Sequence, residues 1–398
     1  MRFTPACLFC LLPLALAAHD DNEDYTEDQL HTKTVFAERE AKAVAEPFKG
    51  ITANGEIPAG LFSLKPTGVT TAPLLAAAEA FIASLTPEQK LHTVFSVDSP
   101  EWRRWCNVDN GIYARQGVSL RQMTDAQRAA ARALLQATLS AKGLALADAI
   151  RHTDETLAEL NHDRLAYGED LYYFTVMGLP SATKPWGWQI DGHHLVINAF
   201  VLGDQVVMTP TFLGGEPVHT TTGKYAGNVI LQDEQNQGLA FMQALTPEQR
   251  AAATVAAQKI HADNQAEAFK DNAVIPYVGL PVKSLAPPQR AQLTALIRLF
   301  IDNQEPGHAR VRMEEITARL DETYFAWIGG STDDAVFYYR IHSPVVMIEF
   351  DHETPIGTRM LNTPGKVTRE HIHVVIRTPN GNDYGKDLLR QHLATQPH

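Results

Sequence analysis

Apolar residues recur along this chain with two different periods, and the switches between them mark out helices and strands. After Thr124, the residues Ala129, Leu134, Leu135, Thr138 and Leu139 fall at helical spacing; Leu293, Leu296, Ile297 and Phe300 do the same over about 286–303. Short runs rich in Val, Ile, Phe, Tyr and Trp, bounded by Gly, Pro and Asn, read as strands instead: 171–176, 186–191, 336–341, 346–351 and 370–377.

Helix starts announce themselves by a repeated cap. Thr86-Pro87-Glu88-Gln89, Thr124-Asp125-Ala126-Gln127 and Thr246-Pro247-Glu248-Gln249 each place Thr at the N-cap and Gln three residues on. In two of them Pro occupies the first helical position, where its missing N–H costs nothing. Ala286-Pro287-Pro288-Gln289 keeps the Pro and Gln without the hydroxyl. The first two caps start 38 residues apart and the last two 40 apart. Each pair is followed by an aromatic strand (171–176, then 336–341), a second strand (186–191, then 346–351) and a histidine pair. This order predicts an α+β fold built from an internally duplicated unit, a helical hairpin plus antiparallel strands. Its halves would span 81–220 and 221–398, after a helical lead-in at 19–80 packed on the first half. Turns at Asp191-Gly192 and Gly203-Asp204 suit antiparallel pairing.

Residues 1–18 change the picture of where such a fold would work. One positive charge at Arg2, an apolar stretch from Ala6 to Leu16 and the small residues Ala15, Ala17 and Ala18 make a cleavable secretory signal. The stretch is too short to span a bilayer, which needs roughly 20 residues. A secreted or periplasmic protein with no membrane span is therefore expected. Cys7 and Cys10 would leave with the signal, so Cys106 alone remains and no internal disulfide can form. A net charge of −12 with no Lys/Arg cluster argues against nucleic-acid or anionic-membrane partners.

Sixteen histidines remain in the mature chain, and their placement suggests chemistry. In Glu370-His371-Ile372-His373-Val374-Val375-Ile376-Arg377, the strand period puts Ile372, Val374 and Ile376 on one face and His371, His373, Val375 and Arg377 on the other. Two imidazoles on one strand face, roughly 6–7 Å apart at the Cα atoms, suit one metal ion. Glu349 and Asp351 share a face of the neighbouring strand in the same way, with His352 and Glu353 directly after. Glu349 is a candidate fourth ligand or general base, and Arg377 a candidate oxyanion stabiliser. In the first half, His193 and His194 are further candidate ligands; His194 shares a strand face with Asn198. Trp186 and Trp188 offer an apolar wall for a small-molecule or peptide substrate. Asp383, in the dense turn Asn380-Gly381-Asn382-Asp383-Tyr384-Gly385, lies close in sequence to the histidine strand and is a further catalytic candidate. Common nucleophile elbows, His-Glu-x-x-His helices, Walker loops and dinucleotide fingerprints are all missing.

The segments 188–194, 211–214, 337–341, 371–373 and 377–385, in that order, resemble the "domain of unknown function 3500" family of largely exported proteins over roughly 75–395. The resemblance implies one continuous module and supplies no reaction. Three readings follow from the residues. The first is a metal-dependent hydrolase, zinc before other divalent ions. The second is a copper or non-haem iron oxidoreductase, in which signal cleavage after Ala18 would expose His19 as a chelating N-terminus. The third is a non-catalytic binding module with a cleft around Trp186 and Trp188.

Overall fold

The structure is a computed structural model and describes residues 25–395; the expected signal segment, with Cys7 and Cys10, and the following His19 lie outside the described residues. Among the described residues, ten α-helices and thirteen strands form an α+β fold around one mixed sheet. The helices are α1 (Glu27–Ala45), α2 (Ala72–Ser84), α3 (Pro87–Thr93), α4 (Asp125–Thr138), α5 (Ala141–Asn161), α6 (Gln232–Gln243), α7 (Pro247–Ala253), α8 (Pro287–Ile301), α9 (Pro306–Ala318) and α10 (Lys386–Thr395). No helix among the described residues is long and apolar enough to cross a membrane.

The long strands are β3 (Tyr172–Met177), β4 (Trp186–Gly192), β5 (Leu195–Leu202), β7 (Thr211–Gly215), β10 (Tyr324–Gly329), β11 (Phe337–His342), β12 (Met347–His352) and β13 (Ile372–Arg377). Short pieces complete the sheet: β1 (Val94–Phe95), β2 (Val118–Ser119), β6 (Gln205–Val207), β8 (Thr254–Ala256) and β9 (Leu280–Pro281). From its centre the sheet runs outward through β7, β5, β4, β3 and β1 on one side, and through β13, β12, β11, β10 and β8 on the other. Pairing is antiparallel except for β1 with β3 and β8 with β10, which are parallel, so the sheet is mixed where an antiparallel one was expected.

All four expected N-caps are in place. Thr86, Thr124 and Thr246 each accept from the amide three residues on, and the Gln side chain returns the bond to the cap. At Ala286 only the Gln289 half of the box forms. The caps also explain their own spacing, because they meet in pairs: Gln127 Nε2 donates to Gln89 Oε1 at 2.7 Å, and Gln289 Nε2 to Gln249 Oε1 at 2.7 Å. Thr124→Ala removes one such acceptor and is expected to cost about 1 kcal/mol in denaturant unfolding. In α4 the buried stripe is Ala131, Leu134, Leu135 and Thr138, while Ala129 is exposed.

Three expectations need correction. β10 was not anticipated, because only residues 319–323 separate it from α9 and no Gly, Pro or Asn marks its start. By position in the sheet β3 therefore corresponds to β10 and β4 to β11, and the pairing of 171–176 with 336–341 is one strand out of step. The hairpin between β4 and β5 turns at His193-His194, since Asp191 and Gly192 are still in β4. The lead-in is helical only in α1 and the start of α2; 46–71, punctuated by Pro47, Gly50, Gly55, Pro58, Gly60, Pro66 and Gly68, makes no helix.

Candidate metal centre

β13 lies at the middle of the sheet with β7 on one side and β12 on the other. Its residue His373 stands opposite Gly214 of β7 and Asp351 of β12, so its side chain shares a face with Asp351. His371 precedes β13 by one residue. Its carbonyl accepts from the Glu353 amide at 2.9 Å, and it shares the His373 face.

His194 arrives from the other half of the chain. It is the second residue of the two-residue turn after β4, with φ of 61°, a left-handed conformation that L-residues seldom adopt. Its backbone is held on both sides: its amide donates to the Asn107 carbonyl at 3.1 Å, and its carbonyl accepts from the Gly214 amide at 2.8 Å. Gly214 leaves the space for the ring. A Cβ there would lie 2.7 Å from the Ile372 carbonyl oxygen and 3.1 Å from His194 Cδ2.

The three Nε2 atoms converge. His194 and His371 are 3.2 Å apart, His371 and His373 3.0 Å, and His373 and His194 3.2 Å. All three rings are buried. An ion bound ~2.05 Å from each nitrogen would subtend N–metal–N angles of roughly 95–105° and stand about 1 Å from their plane, between octahedral and tetrahedral values. The outer nitrogens decide the tautomers. His371 Nδ1 lies 2.8 Å from the Thr354 carbonyl, which only accepts, so Nδ1 carries the proton and Nε2 presents a lone pair. His373 Nδ1 faces two carboxylates, Glu267 at 3.2 Å and Glu353 at 3.4 Å.

Electrostatics sort the cluster in the same direction. Burial pulls His194 well below the ordinary range, and its three neighbouring imidazoles add to this. Burial and the neighbouring His373 lower His371 to about 4. Burial also opposes charge on His373, but Glu353 and Glu267 outweigh it and raise the group to about 10. Burial raises Glu353, yet His373 and His371 more than reverse that and hold it near 2. Without a metal the cluster thus carries one cation, on His373, beside carboxylates. A cleft of about 570 Å³ opens on His373, Glu353 and Glu267, walled by Phe36 and Ala43 of α1 and by 106–108 and 268–270. Another cleft, of about 650 Å³ between the 57–62 stretch and α10, contains no part of the cluster.

The other expected site residues are placed elsewhere. His193 is not in the convergent set: its ring stacks on His194 at 3.9 Å and its Nδ1 lies 2.6 Å from Asp154. Glu349 is fully buried and accepts from the Gln265 and Ala266 amides and from the Tyr338 hydroxyl, which leaves it no part as ligand or base. Arg377 donates to the Ala266 and Glu267 carbonyls and pairs with Asp271 and Asp383, so it is no oxyanion stabiliser facing the cleft. Asp383 is spent on Arg377 and the Thr378 amide. Asp351 accepts from the Asp263 and Asn264 amides. These groups clamp the 263–271 loop and so position Glu267. Trp186 and Trp188 are fully buried in the core and form no substrate wall. Asn198 is buried between Gln189 and the Pro210 carbonyl. Strand period gives a face but not what covers it, and here protein covers these faces.

Sequence reasoning missed Glu267, which carries no motif, and noted Glu353 only as a neighbour of Asp351. It also missed Glu216, whose carboxylate accepts from the Ile356, Gly357 and Thr358 amides and from the Thr358 hydroxyl. Those bonds fix the segment whose Thr354 carbonyl orients His371. Glu216→Gln is expected to weaken metal binding ~10–100-fold, the usual effect of losing an outer support, as read by competition with a chromophoric chelator.

The fold and site define an α+β protein with a buried three-histidine cluster at the junction of its two half-sheets. The family model described as "Protein of unknown function (DUF3500)" matches residues 67–386, and the chain belongs to that family. No curated protein and no solved structure matches it.

Proposed function

We propose that this protein is an exported, metal-dependent hydrolase whose ion is held by Nε2 of His194, His371 and His373. One observation carries the reading: three buried imidazole nitrogens stand 3.0–3.2 Å apart, and the outer nitrogens of His371 and His373 face acceptors. Lone pairs that close repel one another unless a cation or proton sits among them. Three histidines are the protein ligands of a known class of catalytic zinc site, in which zinc lowers the pKa of bound water to near neutrality. Glu267 and Glu353 sit on the Nδ1 side of His373 and orient that ligand. Cys106 lines the cleft, but burial pushes its thiol up to about 12, so it is no nucleophile at neutral pH. Water is then the natural nucleophile.

The copper or iron reading keeps one specific support, since three facial imidazoles suit those ions too. A paramagnetic signal from the natively loaded protein would favour it. The order of elements outward from the sheet centre supports an internal duplication, with His194 of one half and His371 and His373 of the other meeting at its centre.

Metal analysis of protein purified without chelator or affinity metal tests the main reading. Stoichiometric zinc is expected; its absence, or its retention in a His371→Ala/His373→Ala double variant, would sink the proposal. Acid should release the ion. Below about 10 the metal-free His373 holds an extra proton, whereas His371 is neutral above about 4. Binding therefore displaces one proton across that window, and apparent affinity is expected to rise ~tenfold per pH unit within it. A flat profile between pH 5 and 8 would contradict the assignment.

A further inference from the structure

We propose that the floor of the cleft is a second metal site, formed by Glu267, Glu353 and Nδ1 of His373, so that the His373 imidazole bridges two ions. The inference rests on the first ion occupying the Nε2 side of the same ring.

The donors are already assembled. Ligand atoms of Glu267, Glu353 and His373 lie within 4.8 Å of one another, Glu267 at 3.2 Å and Glu353 at 3.4 Å from Nδ1. The hydrogen-bond count is what points to a cation. Nδ1 has one proton to give, and Glu267 receives it. Glu353 Oε1 is buried and makes no hydrogen bond, and it shares with Glu267 the single Nδ1 of His373, 3.4 Å away. An anionic oxygen left without a hydrogen bond in the interior is costly, and a closer positive partner is the usual remedy. The Lys259 amine is committed to Asp351 at 2.9 Å and Asp263 at 3.0 Å. One proton cannot satisfy two carboxylates, whereas one divalent ion can.

Access separates the two sites. His194 and His371 do not line the cleft, but Glu267, Glu353 and His373 do. An ion on the Nδ1 side would therefore meet solvent and small molecules from an open cavity of about 570 Å³. Two carboxylates and one imidazole nitrogen suit zinc or manganese, with water completing the sphere. The Nδ1 proton passes to solvent when the second ion binds, and the ring becomes an imidazolate shared by both.

Stoichiometry decides it. The full chain, stripped with chelator and reloaded with zinc chloride, is passed through a desalting column and its zinc measured against protein. Two ions per chain are expected for the wild type and one for E267Q/E353Q, with the weaker site losing at least ~100-fold in affinity. One ion in the wild type that persists in E267Q/E353Q overturns the second site and leaves the three-histidine reading standing. An ion lost in E267Q/E353Q but kept in H194A/H371A overturns the three-histidine reading instead. No ion in the wild type overturns both. Copper loading of the unaltered wild type gives an independent answer that needs no variant. Two cupric ions joined by imidazolate couple, so the electron-spin count should fall well below the copper count; equality of the two counts rejects the bridge.

Discussion

His371→Ala is expected to lower the metal content of the purified protein by at least one ion per chain. The three Nε2 atoms form a nearly equilateral triangle, so each histidine supplies a third of the nitrogen donors. Binding worth about 10–16 kcal/mol over four ligands is ~3 kcal/mol per ligand, which is roughly 100-fold or more in affinity for each one removed. The variant also leaves the Thr354 carbonyl without its donor, a smaller cost of about 1–3 kcal/mol. The fold should survive, because the ring lies at the end of β13 and outside the main aromatic packing. Circular dichroism and elemental analysis on the same sample check both halves of the expectation. Wild-type metal content in a folded His371→Ala protein would remove the basis of the proposed function.

Arg377→Met should behave in the opposite way, with a large loss of stability and an indirect effect on the site. Arg377 is fully buried, lies 2.9 Å from Asp271 and 3.3 Å from Asp383, and donates to the Ala266 and Glu267 carbonyls. Removing it leaves the buried Asp383 without a cationic partner, while Asp271 keeps Arg103 at 2.8 Å. Breaking a buried pair in that manner costs about 3–5 kcal/mol. Asp383 is already raised to about 6 by burial even with Arg377 holding it down. In the variant it should become protonated at neutral pH. Chemical denaturation monitored by tryptophan fluorescence reads the change. Unaltered stability combined with lost turnover would instead restore Arg377 to a direct catalytic part.

The elements that were legible in the sequence are those with a local cause. The capping boxes at Thr86, Thr124 and Thr246 form within four residues, so they can be read from four residues. The face of β13 bearing His371 and His373 follows from a two-residue period, and both rings do converge. β10 was illegible because nothing at its start breaks the chain. His194 was chosen for a strand face it does not occupy; it reaches the cluster from a hairpin turn, whose exact position depends on pairing between β4 and β5. Glu349, Arg377 and Asp383 looked catalytic because charged residues on a strand next to histidines look alike whether they face a cleft or a loop. The 263–271 loop, from a distant part of the chain, covers Glu349 and Arg377 and consumes their hydrogen bonds, and Asp383 is held by Arg377 and the Thr378 amide.

Membership of its family, the α+β character, the helix starts and the paired histidines of β13 were determined by the sequence alone. Each rests on short-range periods and caps, whose energies depend on residues a few positions apart. The tertiary structure alone decided that His194 meets His371 and His373, that Glu267 and Glu353 share one imidazole nitrogen, and that Glu349 and Arg377 clamp a loop. Those outcomes depend on contacts between segments more than 80 residues apart. A period along one strand specifies which side chains share a face, but burial and hydrogen-bond satisfaction across the whole fold determine what that face meets.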